Sequence, residues 1–348
     1  MGRRKGVLPV NRELLKKLGN IDQIAGIRES VLLRGRGEGM KIAEFHNAAG
    51  LCFSVAEDRC MDLYDLSFRG VNFSFHSRNG LTGKAPAGAE DAEFAEHWPG
   101  GMLVTCGLDN INGASGKDGV NYPTHGRIGA VPAQHFSAKM TEKNGETVLL
   151  AEGEMRQSRM YGGTFLLHRT IETGLYKTTV RITDEITNVS DREKPYFLLY
   201  HFNFGYPLLD EGAEVFATGV RKPLDEKSRE ERFITAPGSG VQKFLWTDLP
   251  EEGMAAVYNK KLGLAAVLRF DTGNLPCMTE WKHLNSCDYV LALEPMSTRP
   301  GKREELIAGK DVLMIPAYGT LVNSLELEIQ EGSEGLCRRF PEALFSKN

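Results

Sequence analysis

The chain has 348 residues, of which 41% are hydrophobic and 25% are charged, and its formal net charge is -4. These proportions are typical of a soluble globular protein with a sizeable core. Acidic and basic residues are mixed along the sequence, and no basic field is large enough to collect phosphates. We therefore expect no nucleic-acid partner.

Targeting and redox features of the sequence favour a cytoplasmic protein. Arg3, Arg4 and Lys5 lie near the start, but no apolar segment follows them, so we expect no secretory signal. No apolar run is long enough to span a bilayer, and we expect no membrane partner. The six cysteines form neither a CxxC pair nor a regular framework, which indicates reduced thiols in a chain of this size.

The first 38 residues are predicted to form a helical or extended accessory segment that packs on a main body. Asn11 can cap a first helical turn, and leucines form a short apolar stripe behind it. A second helical turn is predicted to begin near Asp22 and to continue to Val31.

Residues 39–348 are predicted to form a single, mainly antiparallel all-β domain. The segment YKTTVRITDEI, residues 176–186, alternates apolar and polar residues as a half-buried strand does. Residues 196–200 are continuously apolar, which predicts a strand buried on both faces. Helix and strand segments do not alternate, which argues against a parallel α/β fold. The strand-like segments are residues 41–45, 51–55, 62–68, 129–153, 165–189, 255–270, 289–293 and 321–329.

Two irregular stretches interrupt these strands. Residues 78–101 are rich in Gly, Ala, Pro and charged residues, which predicts a long ordered loop, and loops of that length are often functional. Residues 221–240 are charged and Gly-rich, which predicts an exposed excursion. No GxGxxG or P-loop sequence follows a strand, so no nucleotide cofactor is expected.

Three side chains are candidates for acid-base chemistry. Glu294 ends the apolar run YVLALE and Pro295 stops the strand, so desolvation can raise the pKa of this carboxylate and make it a usable base. A surface glutamate at a strand end is the common alternative. His201 interrupts an apolar strand, where an imidazole needs either a cleft or a backbone carbonyl. His125 precedes Gly126, which allows a sharp turn. All three residue types can bind a metal, so a metal at this cluster stays open, but none belongs to a short-spaced ligand pair and we predict no metal site.

Further polar and aromatic residues near these positions are candidates for ligand binding. Trp281 can offer its ring to the CH face of a sugar and Lys282 a donor to its hydroxyls, although Trp281 also fits a core position. Arg59 and Asp62 follow a strand and fit either ligand binding or a structural ion pair.

Taken in order, these segments resemble the galactose mutarotase-like superfamily, and specifically its DUF4432-type branch of aldose 1-epimerase-like proteins. The resemblance covers roughly residues 15–330 and rests on seven landmarks: GNIDQIAGIRE, EDRCMDL, GGMLVTCGLDN, THGRIG, LLYHFNFGYPLL, EWKHL and YVLALEP. The mutarotases place one catalytic histidine in an HG turn, which His125 matches, and another in a strand, which His201 matches. Their general base is a glutamate of a C-terminal strand, which Glu294 matches.

What the resemblance implies is a β-supersandwich, with a short helical N-terminal segment, in which Glu294, His201 and His125 share one cleft. The arginine of the mutarotases has no equivalent here, and Arg59 or Arg127 could replace it. Their hydroxyl-binding aspartate also has no counterpart. The candidates for substrate binding are therefore Arg59, Asp62, Asn110, Arg127, Asn203, Trp281 and Lys282.

The implied activity is that of an aldose 1-epimerase (mutarotase)-like isomerase, which interconverts sugar anomers by acid-base catalysis without a cofactor. We expect Glu294 to act as the base, His201 as the acid and His125 as a second donor. Two alternatives stay open: an enolising isomerase or epimerase of a keto-sugar, and a non-catalytic sugar-binding protein. The identity of the sugar and association into a homo-oligomer also stay open.

Overall fold

Antiparallel strands make up most of the protein, as the sequence predicts. A computed structural model describes residues 12–83, 91–117, 120–229 and 231–340. The strands are β1 (Gly26–Val31), β2 (Lys41–His46), β3 (Leu51–Ala56), β4 (Asp62–Phe68), β5 (Val71–Asn72), β6 (Leu103–Leu108), β7 (Ser115–Lys117), β8 (Val120–Tyr122), β9 (Gln134–Lys143), β10 (Glu146–Arg159), β11 (Gly163–Gly174), β12 (Thr179–Asn188), β13 (Lys194–Phe204), β14 (Glu214–Ala217), β15 (Val220–Pro223), β16 (Gly240–Thr247), β17 (Glu252–Asn259), β18 (Leu264–Asp271), β19 (Cys277–Leu284), β20 (Tyr289–Met296), β21 (Leu313–Ile315) and β22 (Thr320–Glu331).

Helices are short and lie between or outside these strands. They are α1 (Arg12–Leu15), α2 (Asp91–His97), α3 (Arg303–Ala308) and α4 (Glu334–Arg339), with 3-10 turns at Ile21–Gln23 and Ile128–Ala130. Within the described ranges, no helix has both the length and the apolar character that crossing a bilayer requires.

Two large sheets form the sandwich. One has the strand order β14-β17-β18-β22-β12-β11-β10-β9, and the other has the order β15-β16-β19-β20-β13-β21, with β6 also paired to β13. A five-stranded sheet, β1 to β5, and the small β7-β8 pair complete the set. The core lies between the two large sheets, because Ile171 and Ile182 of the first share a hydrophobic cluster with Phe202 and Leu293 of the second. The predicted antiparallel β-sandwich is confirmed.

A charged network crosses this core. The fully buried guanidinium of Arg169 donates to Asp184 at 2.6 Å and to Asp62 at 2.8 Å, and the hydroxyl of Tyr200 donates to Asp184 at 2.7 Å. Desolvation raises the pKa of Asp62 to about 6, although Arg169 opposes this shift. Buried charges are tolerated only when they are paired and hydrogen-bonded. Asp62, on β4 of the five-stranded sheet, therefore links that sheet to Arg169 of the eight-stranded sheet.

The N-terminal segment is helical only at its start. The side chain of Asn20 caps the 3-10 turn, but Gly26–Val31 then forms β1, which pairs with β2. The predicted helical turn reaching Val31 is therefore wrong from Gly26 onward. The open edge of β2 gives the backbone of β1 its hydrogen-bond partners, and β-branched Ile27 and Val31 suit a strand. The predicted cap Asn11 lies outside the described residues.

The predicted loop at residues 78–101 contains a helix. Residues 84–90 lie outside the described ranges, but Asp91–His97 forms α2, so the prediction of loop throughout this stretch is wrong. The sequence DAEFAEH contains alanine and glutamate, which have high helix propensity. The predicted excursion at residues 221–240 is confirmed, because the described residues from 224 to 229 and from 231 to 239, beyond the end of β15, are mostly exposed.

Candidate active site

Neighbouring strands of the seven-stranded sheet carry His201 and Glu294. On β13 and β20, Phe202 pairs with Leu293 in antiparallel register. His201 and Glu294 are each one residue further along, in opposite strand directions, so they face each other across the strand pair. Since side chains alternate between the two faces of a sheet, both lie on the outer face, away from the core that contains Phe202.

The two groups are buried and close together. Glu294 Oε1 lies 3.3 Å from His201 Nε2, and the two residues are only 5% and 4% exposed. Desolvation raises the pKa of Glu294 to about 8, with Lys243 opposing the shift. Desolvation, and then the nearby His125, lower the pKa of His201 to about 3. At neutral pH the pair therefore holds one proton, on the carboxyl group.

A tight turn brings His125 to the same place. His125 has φ +58°, Gly126 has φ +70°, and Gly107 forms a parallel bridge with Gly126. A Cβ atom at Gly126 would lie 2.1 Å from the carbonyl oxygen of Gly107, so the close approach requires glycine there. The side-chain amide of Asn110 holds the same loop by donating to the carbonyl oxygen of Pro123 at 2.8 Å.

Aromatic rings form the walls around this pair. The ring of His201 lies 5.7 Å from that of His125, 5.2 Å from that of Trp98 and 5.7 Å from that of Trp281. The ring of Phe94 lies 5.1 Å from that of His125. Together they form a cleft of about 710 Å³, a size typical of small-molecule sites. The cleft is lined by Phe94, Trp98, Asn112, Gly113, Thr124, His125, His201, Leu224, Lys243, Thr279, Trp281, Glu294, Pro300, Gly301, Lys302 and Glu305.

Two cleft residues carry a buried nitrogen atom without a protein hydrogen-bond partner among the described residues. These atoms are Nε1 of Trp98 and Nδ2 of Asn112. Buried polar atoms are almost always hydrogen-bonded, to protein, water or ligand. A polar ligand in this cleft would satisfy them.

Trp281 reaches the cleft, whereas its neighbour Lys282 does not. Adjacent residues of β19 point to opposite faces, so Lys282 turns to the inner side, where its ammonium lies 3.4 Å from Glu280 and donates to the carbonyl oxygen of Glu231 at 2.8 Å. Arg221 also forms a bidentate pair with Glu280. The structure therefore places Lys282 in an internal ion cluster.

The other predicted binding residues also lie outside the cleft lining. Arg59 is buried beside Asp62 around a separate, small cavity. Arg127 forms an ion pair with Asp109 at 2.7 Å. The amide of Asn203 donates to backbone carbonyl groups, including that of His201 at 2.8 Å. The structure thus brings together the three acid-base candidates and Trp281, while Asn110 shapes the loop of His125.

Sequence reasoning missed most of the cleft wall. Trp98 and Phe94 come from the stretch around α2, for which the sequence predicts a functional loop without indicating these two residues. Lys243 lies on β16, opposite Trp281 of β19. Among the described residues, no three His, Cys, Asp or Glu side chains are placed to hold a metal ion.

Residues 37–329 match the family described as a domain of unknown function, DUF4432. This chain belongs to the DUF4432 family. No curated protein matches its sequence. The fold of this chain is similar to that of a "putative aldose 1-epimerase" from Klebsiella pneumoniae. The TM-score is 0.85 and the identity is 22%, over 97% of this chain and 92% of the other.

More distant structures share the fold of this DUF4432 protein. A galactose mutarotase-like protein from Clostridium acetobutylicum has a TM-score of 0.60 and 13% identity, over 89% of this chain and 99% of the other. Galactose 1-epimerase from Lactobacillus acidophilus has a TM-score of 0.56 and 12% identity, over 88% and 99%. The chain therefore has the galactose mutarotase-like fold that its landmarks imply.

Proposed function

We propose that this protein is a cofactor-independent isomerase that interconverts the anomers of a free sugar, as an aldose 1-epimerase does. One observation carries the proposal: a carboxyl group and an imidazole, Glu294 and His201, lie 3.3 Å apart at the buried end of an aromatic cleft. The similarity of the fold to proteins named as aldose 1-epimerases supports it.

Anomer exchange requires one base and one acid. The base removes the proton of the C1 hydroxyl, the bond between C1 and the ring oxygen breaks, and the acid protonates the ring oxygen. Rotation about the bond to C1 then exposes the other face of the aldehyde, and the reverse proton transfers close the ring. The numbers of protons and electrons on the protein are unchanged after the cycle.

The proton content of the site suits this cycle. The Glu294–His201 pair holds one proton at neutral pH, because burial raises the pKa of the carboxyl group and lowers that of the imidazole. Transfer of this proton to His201 gives the carboxylate base and the imidazolium acid that the reaction needs. We assign these roles to Glu294 and His201, with His125 as a second donor to the ring oxygen.

The cleft offers both kinds of contact that a sugar needs. The rings of Trp98 and Trp281, 6.1 Å apart, can cover the apolar CH face of a pyranose. The buried nitrogen atoms of Trp98 and Asn112 can donate to its hydroxyl groups. A free monosaccharide would thus be held above Glu294 and His201.

The test measures anomer exchange by polarimetry or saturation-transfer NMR on a panel of monosaccharides. Glu294→Gln and His201→Asn should each lower the catalysed rate by at least about 100-fold. Glu44→Gln, a matched change of an exposed strand glutamate, should leave it unaltered. If the rates of the two site variants equal the wild-type rate on a turned-over sugar, the assignment is wrong.

Deuterium incorporation and binding measurements separate the other two functions. An enolising isomerase would incorporate solvent deuterium into a carbon-bound position of a keto-sugar, whereas ring opening exchanges only hydroxyl protons. A sugar-binding protein would bind a member of the panel without turnover, and Glu294→Gln would change only the affinity.

A further inference from the structure

The cleft carries an unbalanced positive charge. Its charged or ionisable lining residues, besides the histidines, are Lys243, Lys302, Glu294 and Glu305. Lys302 and Glu305 lie 3.8 Å apart and offset each other. Glu294 is held in its neutral form at neutral pH by burial. Lys243, an exposed residue of β16 that lines the cleft, is left, and no described carboxylate forms an ion pair with it.

The backbone fixes the position of Lys243. Its amide donates to Ser228 Oγ at 2.8 Å, and its carbonyl oxygen accepts from the amide of Leu224 at 2.9 Å. Lys243 pairs with Trp281 across β16 and β19, and Thr279 of β19 pairs with Glu294 of β20. The backbone of Lys243 is therefore held two strands away from that of Glu294, on the order of 10 Å across the sheet.

The positions of Lys243 and of the Glu294–His201 pair indicate where the two ends of a ligand would lie. A sugar whose C1 lies at Glu294 and His201, with a ring covered by Trp281, would extend its far end along the sheet toward β16. The field of Lys243 reaches the reacting end, since its charge acts on both Glu294 and His201. An anionic group beside the ammonium would neutralise it, and a charge-assisted hydrogen bond is roughly twice as strong as a neutral one.

We propose that the substrate is an acidic monosaccharide, and that Lys243 selects it by pairing with an anionic group on the carbon furthest from C1. This inference rests on the proposed function, because it takes the position of C1 from the assigned acid-base pair. It adds the substrate class, which neither the fold nor the pair itself defines.

The test compares sugars that differ only in this group: D-glucuronate with D-glucose, and D-galacturonate with D-galactose. D-Glucose 6-phosphate tests whether a phosphate serves as the anion. For each pair the ratio of kcat/KM, acidic over neutral, is measured by anomer exchange, and the ratio of affinities by calorimetry. The wild type should favour an acidic sugar, and Lys243→Gln should lower both ratios by about 10- to 100-fold.

Two further variants complete the design. Lys243→Arg, which retains the charge, should keep most of the preference. Lys222→Gln removes the same charge from an exposed position on the neighbouring strand β15, outside the cleft lining, and should leave the ratio unchanged. Raising the salt concentration should reduce the wild-type preference, because it screens the attraction.

The outcomes separate the two proposals. Equal activity and affinity for acidic and neutral sugars, or equal losses on both in Lys243→Gln, would overturn the inference while leaving the epimerase function intact. Binding of an acidic sugar that depends on Lys243, with no exchange on any sugar, would support the inference and contradict the proposed function.

Discussion

Glu294 Oε1 lies 3.3 Å from His201 Nε2, and burial shifts the pKa values of these two groups in opposite directions. The pKa of the carboxyl group is raised to about 8 and the pKa of the imidazole is lowered to about 3. The carboxyl group is therefore the weaker acid of the two, which reverses the usual order. The pair therefore behaves as one unit that carries a single titratable proton between about pH 3 and about pH 8.

The pH dependence of anomer exchange follows from this proton. The catalysed rate should be level from about pH 4 to pH 7 and should fall about tenfold per pH unit above pH 8, where the pair loses its proton. Polarimetry corrected for spontaneous exchange gives the profile. A rate that rises through pH 8 would show that the pair acts after losing its proton.

Glu294→Gln should stabilise the fold at alkaline pH. The pKa of this carboxyl group is raised from 4.5 to about 8 on folding, so its contribution to stability is complete below pH 4.5 and is lost as the pH rises through 8. A glutamine side chain is neutral at every pH and so does not lose this contribution as the pH rises. We expect the variant to gain about 2–4 kcal/mol in unfolding free energy between pH 5 and pH 8, relative to wild type, in urea titrations. The same difference at both pH values would contradict a protonated Glu294.

Gly126→Ala should displace His125. The new Cβ would lie 2.1 Å from the carbonyl oxygen of Gly107, and the alanine would have to adopt φ +70°. We expect a loss of about 2–4 kcal/mol in stability and at least about a tenfold loss in rate. Gly145→Ala is the matched control, since Gly145 has φ +80° but no atom within 4 Å of a Cβ. It should cost only about 1 kcal/mol, without a change in rate. Equal effects of the two variants would show that the loss comes from the positive φ angle and not from the contact with Gly107.

Substitution of Trp281 should affect ligand binding, whereas substitution of Lys282 should affect stability. Trp281→Ala should raise KM about tenfold or more, with little change in unfolding free energy, because it removes a wall of the cleft. Lys282→Met should lower the unfolding free energy by about 1–3 kcal/mol and leave KM unaltered, because it disrupts the pairing around Glu280. A rise in KM for Lys282→Met would place that ammonium in the cleft after all.

Arg169→Met should destabilise the protein strongly. It leaves the carboxyl groups of Asp62 and Asp184 buried without their cation, which typically costs about 3–5 kcal/mol. Thermal and chemical unfolding measure the loss. Adding Asp184→Asn to the variant should recover part of it, and failure to recover any would point to lost packing as the cause.

Much of the fold could be predicted, because burial leaves a clear pattern in strands. The continuous apolar run at residues 196–200 predicts a strand buried on both faces, and β13 has the core on one side and a second hydrophobic cluster on the other. The turn at His125 and Gly126 was predicted from residue type alone. The strand β1 was not, since the pairing edge that recruits it is formed by residues further along the chain.

The site was predicted less completely. Trp281 and Lys282 were both predicted to bind the sugar, although strand alternation places adjacent residues on opposite faces of β19. Asp62 could not be placed without Arg169, a partner more than 100 residues away in the chain. Lys243 and Trp98 belong to the cleft only because β16 and the residues after α2 approach it in three dimensions, and no local pattern encodes that approach.

The alternation along β13 also limits how this family can change. Tyr200 and Phe202 secure the two sheets, while His201 between them serves the cleft. Deleting or inserting one residue in this strand would exchange these roles and lose both at once. Length variation among relatives should therefore be confined to the connections between strands, and new specificities should arise by substitution at alternate positions of β16 and β19.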